Sequence, residues 1–310
     1  MSTEPVTSLA GKRPAPPVAA PAETLPSNWG RWGKDDERGT LNFITEESRA
    51  RGAAVVRTGR TVSLAHPISP TTLAGGGPLP HGLSPMPAPV QQMLSYTGSP
   101  AHALSDVLVV NTHHIAMTHI DALAHIPVDG QVYPGVPIDQ AVTQGTLRHA
   151  STTPFAAGIT TAGVLLDLAS GSRLAPGHEV TAADLDVAEK RAGVRVQSGD
   201  ALVVRGGWAV HRDLAELLPT MTLDAVRWLA EREVSVLASD IGDRPPGLGS
   251  PPLLHTVGLA RLGLPLVDNA DVSSLAAVCS ELGSWNFLFV LGVLPIHGAT
   301  GVPVNPLAIF

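Results

Sequence analysis

The chain has a single cysteine, Cys279, in 310 residues. That excludes a disulfide framework and any thiolate cluster around a metal, and within Leu275-Ala276-Ala277-Val278-Cys279 the thiol reads as a small buried hydrophobe. Nowhere does the sequence reach the roughly 18 uninterrupted apolar residues of a membrane helix. Its longest apolar run, residues 287–296, has the length of a strand. Charge is scarce, at 15% of residues, and 20 basic against 27 acidic side chains leave a formal charge of −7. With no Lys/Arg cluster to follow a phosphate backbone, nucleic acid is not an expected partner. Residues 1–27 are rich in Pro and Ala and lack the apolar core of a secretory signal, so the expectation is a cytoplasmic protein with a disordered tail. The rest, 28–310, is long and apolar enough to bury a large core as one domain.

What the chain has in quantity is histidine: 12 residues, five of them between positions 102 and 125. Ahead of these, residues 61–65 alternate like a half-buried strand, and 71–89 form a Gly/Pro-rich loop of a length usually reserved for function or mobility. A strand beginning at Asp106 is expected to run through His113 to Ile120, because no Gly or Pro interrupts it. After residue 160 a strand-then-helix rhythm argues for an α/β protein. Strands are expected over 163–167, 200–205, 234–238, 264–267 and 285–296. Helices are expected over 182–192, 222–231, 253–262 and 272–282. Thr181 and Asp184 have the spacing of a capping box at the first helix. The proline-rich tail 303–307 reads as a packed terminal loop.

Side chains two apart on a strand share a face, so His113, Ile115, Met117, His119 and Asp121 are expected to line one side. Imidazole and carboxylate together are the ligand set of zinc, manganese or iron(II) sites that leave a position for water. His125 follows Asp121 by four residues, a separation at which a turn or helix start returns the side chain as a ligand, a support or a proton-transfer group. His114, on the opposite face, reads as a core histidine.

The segment Thr118-His119-Ile120-Asp121-Ala122-Leu123-Ala124-His125 resembles the H-x-G-T-H-x-D-x-P-x-H signature of the cyclase superfamily, which includes bacterial kynurenine formamidases, isatin hydrolases and certain polyketide cyclases. Trp29-Gly30-Arg31-Trp32-Gly33, Asp35-Asp36-Glu37-Arg38-Gly39-Thr40-Leu41-Asn42, Gly199-Asp200-Ala201-Leu202-Val203-Val204-Arg205 and Gly298-Ala299-Thr300-Gly301-Val302-Pro303-Val304-Asn305-Pro306 are similar to further stretches of one branch. The resemblance covers residue 28 to the C-terminus. It implies a mixed, barrel-like sheet flanked by helices in a swivelling β/β/α arrangement, and a homodimer or homotetramer. It also implies a divalent metal, Mn or Zn, held by His119 and Asp121 with a later His255 and Asp268. Three positions depart from the signature: Ile115 replaces its first histidine, Met117 its glycine and Leu123 its proline. His113 has the strand parity to replace the missing ligand, but two residues along a strand is about 6–7 Å.

The activity these features imply is hydrolysis of an amide, lactam or ester of a small aromatic or cyclic substrate. A metal would polarise the carbonyl and acidify water, with His125 moving protons. Trp29, Trp32 and Met117, with the long loop through Met86 and Met93, are candidates for an apolar substrate wall. The alternatives are a cyclase or dehydratase acting on a polyketide-like intermediate, possibly without metal, and a catalytically silent binding protein on the same scaffold. His297, Asp240 and Asp243 lie in loops after expected strands and are candidate pocket rims, Asp243 reading rather as a turn residue.

Overall fold

A computed structural model describes residues 24–69, 89–209, 216–244 and 251–310. Residues 1–23 of the expected tail, and 70–88 of the expected long loop with Met86, lie outside the described residues. The strands used below are β1 (Thr61–Ser63), β2 (Val90–Thr97), β3 (Ala103–Val110), β4 (His119–Asp121), β5 (Ile159–Asp167) and β6 (Ala201–Arg205). They continue with β7 (Val236–Ser239), β8 (Leu266–Asp268), β9 (Asn286–Leu291), β10 (Gly301–Pro303) and β11 (Leu307–Ile309). Nine of them form one sheet in the order β1-β11-β9-β5-β6-β7-β8-β4-β10. The centre, β5 to β8, is parallel, and the strands on either side of it run antiparallel.

The parallel centre follows from composition. Val203, Val204, Leu165, Leu166, Val236 and Leu237 make continuous apolar runs, buried on both faces of the sheet, as strands covered by helices on both sides must be. The helices are α1 (Glu46–Ala54), α2 (Ala182–Ala192), α3 (Leu223–Glu231) and α4 (Ser273–Leu282). At the start of α2 the expected capping box forms, Asp184 N–H donating to Thr181 Oγ1 at 3.3 Å and Thr181 N–H to Asp184 Oδ2 at 2.8 Å. Helix α1 presses so closely on β5 that a Cβ at Gly52 would stand 2.7 Å from the Ala162 nitrogen, which only glycine avoids.

The sheet curls on itself. β10 is its last strand and β11 the second from the other edge, yet only residues 304–306 separate them. Three residues span at most about 10 Å, so the two ends of the sheet must lie close together. Val304 N–H donates to Thr118 O, Leu64 N–H to Pro306 O and Asp271 N–H to Leu64 O, stitching that seam. The expected α/β, barrel-like sheet with flanking helices is the architecture observed.

Four local expectations are corrected. The strand proposed from Asp106 through Ile120 ends at Val110, and residues 111–117 form two successive turns, closed by His114 N–H to Asn111 O and Met117 N–H to His114 O. Met93, placed in a loop by the sequence, lies in β2, which pairs with β3 as a hairpin. The proline-rich tail carries two short strands, because Pro303 closes an edge strand and Pro306 falls between strands, positions where a missing N–H costs little. The helix expected over 253–262 forms as a π-helical segment, Leu254–Leu259.

Cys279 is buried in α4, as its surroundings suggested. Burial, with Asp167 adding to it, pushes its thiol up to about 12, leaving almost no thiolate to react near neutrality. Native protein at pH 8 is expected to label with a thiol reagent at less than about one hundredth of the rate seen in guanidinium. Rapid labelling without denaturant would contradict this burial.

Candidate metal centre

The site is built on the three-residue strand β4. Its neighbours pair Asp268 and Pro303 opposite His119, Val267 and Val302 opposite Ile120, and Gly301 opposite Asp121. Directly opposed residues of antiparallel strands share a face. His119, Asp121 and Asp268 therefore emerge on one side, while Ile120, Val267 and Val302 are buried in the core on the other. The two turns before β4 bring His113 back over the same face, with its Nδ1 3.1 Å from Asp121 Oδ1. This answers the distance objection raised by strand geometry: His113 reaches the site because residues 111–117 are not extended. Gly301 makes room for it, since a Cβ there would stand 2.6 Å from His113 Cε1.

After β4 the chain turns at once, His125 N–H donating to Ala122 O, and the His125 ring stacks on His113 with centroids 3.8 Å apart and planes 7° from parallel. His255 enters from the first turn of the π-helix, a distortion common at functional sites. Its Nε2 lies 3.3 Å from Asp121 Oδ2 and 3.3 Å from Asp268 Oδ2. Asp243 fixes this turn from below. Its carboxylate accepts the Leu254 and His255 N–H groups, capping the helix, and also accepts His255 Nδ1–H at 2.9 Å.

Three imidazoles thus each have one nitrogen engaged and the other facing Asp121. His119 Nδ1 is 2.8 Å from Met117 O, His255 Nδ1 2.9 Å from Asp243, and His113 Nε2 3.1 Å from Thr300 Oγ1. Such partners set the tautomer and leave a lone pair on the second nitrogen, as in metal-binding histidines. Asp121 is fully buried, and both of its oxygens, like His113 Nδ1, lack a hydrogen-bond partner among the described residues. The nitrogens at 3.1–3.4 Å from it are close without hydrogen-bond geometry. Burying a carboxylate without compensation costs several kcal/mol, a large fraction of a typical total stability of about 5–15 kcal/mol. Positive charge in this cluster, on the imidazoles or on an ion, would offset that cost.

Electrostatics agree. Burial pushes the Asp121 carboxyl up, but His113, His119 and His255 together hold it well below the ordinary value. Burial lowers His255 and His119, and the surrounding carboxylates, Asp121 foremost, outweigh it and raise both. His125 behaves differently: burial dominates, the neighbouring histidines add to it, and the ring falls to about 4. It is neutral at physiological pH. Donor atoms of His113, His119 and Asp121 lie within 4.8 Å of one another, as do those of Asp121, His125 and His255, so Asp121 belongs to both groups. Nitrogen and carboxylate donors in this number suit a divalent ion such as Zn or Mn.

The structure brings together His113, His119, Asp121, His125, His255 and Asp268. Of the remaining candidates, Asp243 touches the cluster through His255 and Met117 only through its carbonyl. Met117 is packed in the core and contributes only its carbonyl to His119. Trp32 stacks edge-on against Phe43, and Trp29 donates to Ala260 O beside Gly135. His114 is buried, its Nδ1 accepting the Ala116 N–H. His297 is exposed. Asp240 is spent on the backbone N–H groups of Gly206, Trp208 and Ala209. Asp243, read from sequence as a turn residue, is the support of His255. Asp next to Gly carries no signal for that role, which depends on a helix start eleven residues later. Thr300 and Gly301 escaped notice as supports of His113 for the same reason, although they lie in a stretch already singled out by resemblance.

Comparison with known proteins places this geometry. The Cyclase family model matches residues 62–243, more than half of the chain. Among solved structures, one described as a novel cyclase is 27% identical, with a TM-score of 0.78, covering 93% of this chain and 100% of its own. Isatin hydrolase A from Labrenzia aggregata, bound to benzyl benzoate, is 20% identical with a TM-score of 0.58, covering 80% of this chain and 93% of its own. An isatin hydrolase bound to the product analogue thioisatinate is 18% identical with a TM-score of 0.60, covering 86% and 98%. These last two establish shared fold. A search of curated protein sequences found no match. The extent of the family match, together with the fold and the histidine and aspartate residues gathered around β4, shows that the chain belongs to the cyclase family.

Proposed function

We propose that the protein is a metal-dependent hydrolase that opens an amide, lactam or ester of a small cyclic or aromatic substrate. The observation that carries this reading is the Asp121 carboxylate, fully buried, with no hydrogen bond to either oxygen among the described residues and three imidazole nitrogens 3.1–3.4 Å away. His113, His119 and Asp121 would hold the ion, with His255 and Asp268 as further donors. When bound, a divalent cation supplies Lewis acidity, polarising a carbonyl and acidifying water. The rest of the chemistry falls to the chain. His125, held against His113 and kept neutral by burial, accepts a proton from the attacking water as its oxygen bonds to the carbonyl carbon. The same proton then passes to the leaving nitrogen or oxygen as the carbon–heteroatom bond breaks.

The test is metal content measured together with activity. Near-stoichiometric Mn or Zn in purified protein, with hydrolysis of isatin-type lactams or formanilide-type amides, supports the reading. Metal-free protein that retains full activity on a biosynthetic intermediate supports cyclisation or dehydration instead and ends it. Asp243 gives a second check, because it orients His255 without facing the ion. Asp243→Ala is expected to weaken Mn or Zn binding by about 10–100-fold, measured by calorimetry, with Asp243→Asn intermediate. Affinity unchanged within twofold would remove Asp243 from the site.

A further inference from the structure

Away from the metal centre, one cavity combines unspent charge with apolar walls. About 450 Å³ in volume, it lies between α2 and α4 at the carboxyl ends of β5 and β6, the part of a parallel sheet where ligands collect. Strand register puts it on the face of the sheet that the metal centre does not use. Val203, Ala238, Val267 and Ile120 stand opposite one another across β6, β7, β8 and β4 and so share a face. Arg205, two residues after Val203, emerges on that same face with Asp167 beside it, whereas His119, Asp121 and Asp268 emerge on the other. Two features of the wall call for a ligand. The charged groups are not fully used by one another. Arg205, with a side chain only 14% exposed, donates from Nη1 to Asp167 Oδ1 at 2.9 Å, but its buried Nε has no partner among the described residues. Arg191 of α2 donates from Nη2 to the Asp167 carbonyl. Two guanidiniums against one carboxylate leave a net charge of +1 in this wall, on a chain that carries −7 overall. The helices, for their part, present small side chains that leave the space open: Ala188 and Ala192 from α2 and Ala276, Ala277 and Ser280 from α4, with Trp285 also in the wall.

We infer that this cavity binds a small organic monocarboxylate with an apolar body. A carboxylate accepts from the guanidinium fork, and its single negative charge matches the net charge of the wall. It also gives an acceptor to a buried N–H that otherwise costs free energy to leave unpaired. Phosphate, at about −1.5 to −2 near pH 7, would overcharge the wall and lie against Asp167. A neutral molecule would leave the excess positive charge unmatched. The alanines and Trp285 favour a hydrocarbon body over a bare anion, because they gain only by covering apolar surface. The volume is that of an ordinary small-molecule site, about 300–1,000 Å³. The site stands independently of the reaction proposed above, since none of its residues belongs to the metal centre.

Calorimetric titration of the full chain with benzoate tests this. Saturable binding with a Kd below about 1 mM is expected. Benzamide, the neutral counterpart of the same shape, and inorganic phosphate should each bind at least about tenfold more weakly. Arg191→Glu, at an exposed position of α2, and Ala276→Phe, which places a ring in the cavity, should each weaken benzoate by at least about tenfold with the far-UV circular dichroism of the wild type. Dialysis against a chelator should leave benzoate affinity within about twofold, because the cavity and the metal centre lie on opposite faces of the sheet. Benzoate binding that both folded variants keep, or that is lost on chelation, belongs to another place and overturns the inference. So does the absence of saturable binding up to about 10 mM benzoate, or benzamide or phosphate binding as tightly as benzoate. If a variant fails to fold, wild-type crystals soaked in 4-iodobenzoate decide in its place. Anomalous density for iodine between α2 and α4, with the carboxylate in hydrogen-bond reach of Arg191 or Arg205, supports the site, and density only elsewhere overturns it.

Discussion

Asp121→Asn is expected to lose its bound metal and to lower kcat/KM by on the order of 10³, which is about 4 kcal/mol of transition-state stabilisation. Asparagine keeps the size of aspartate, so the strand pairing of β4 with β8 and β10 is retained. What changes is charge and valence. The two oxygens that face His113, His119 and His255 become one carbonyl and one amide N–H₂, which turns a donor toward the place of the ion. Both candidate donor groups contain Asp121, so no other single residue removes as much of the site. Metal analysis of the purified variant and steady-state kinetics report the two effects separately, and circular dichroism reports the fold. A variant that keeps stoichiometric metal and activity within tenfold of wild type would rule out the assignment.

Stripping the metal by dialysis against a chelator is expected to abolish hydrolysis and to lower thermal stability. A ligand at 100 times its Kd stabilises the folded state by about 2.7 kcal/mol, and at roughly 2–4 °C per kcal/mol the apo protein should melt about 5–10 °C lower. The physical reason is the buried carboxylate of Asp121, whose charge a bound ion would offset directly. Adding back Mn or Zn should restore both Tm and activity. Mg should do so poorly, since it favours oxygen donors and keeps its waters, and most of the donors here are imidazole nitrogens. Scanning fluorimetry with each ion checks this. Activity that survives chelation, with no Tm response to Mn or Zn, would exclude a metal-dependent mechanism.

Much of this was legible in the residue order. A continuous apolar run such as residues 201–204 reads as a covered strand, and Thr181 with Asp184 marks a helix start by local hydrogen bonding alone. His119 and Asp121 share a face because strand parity is a property of the backbone, and a turn after Asp121 returns His125 as its spacing suggested. Periodicity failed at residues 111–117. There the chain has strand-like composition without a neighbouring strand to pair with, and turns satisfy its backbone groups instead. The prolines of the tail misled for the opposite reason, because an edge strand tolerates them.

The sequence by itself determined the donor types, the local elements that carry them and the family to which they point, since these depend on side-chain chemistry and on backbone geometry within a few residues. Only the tertiary structure decided that His113 reaches Asp121, that Gly301 clears space for its ring, and that Asp243 braces His255. The second joins segments far apart in the chain, at the end of the sheet where β4 pairs with β10 beside the seam, and the other two join residues eight and twelve apart. Register, turn and close approach across that seam are settled by packing of the whole sheet, and no local pattern encodes them.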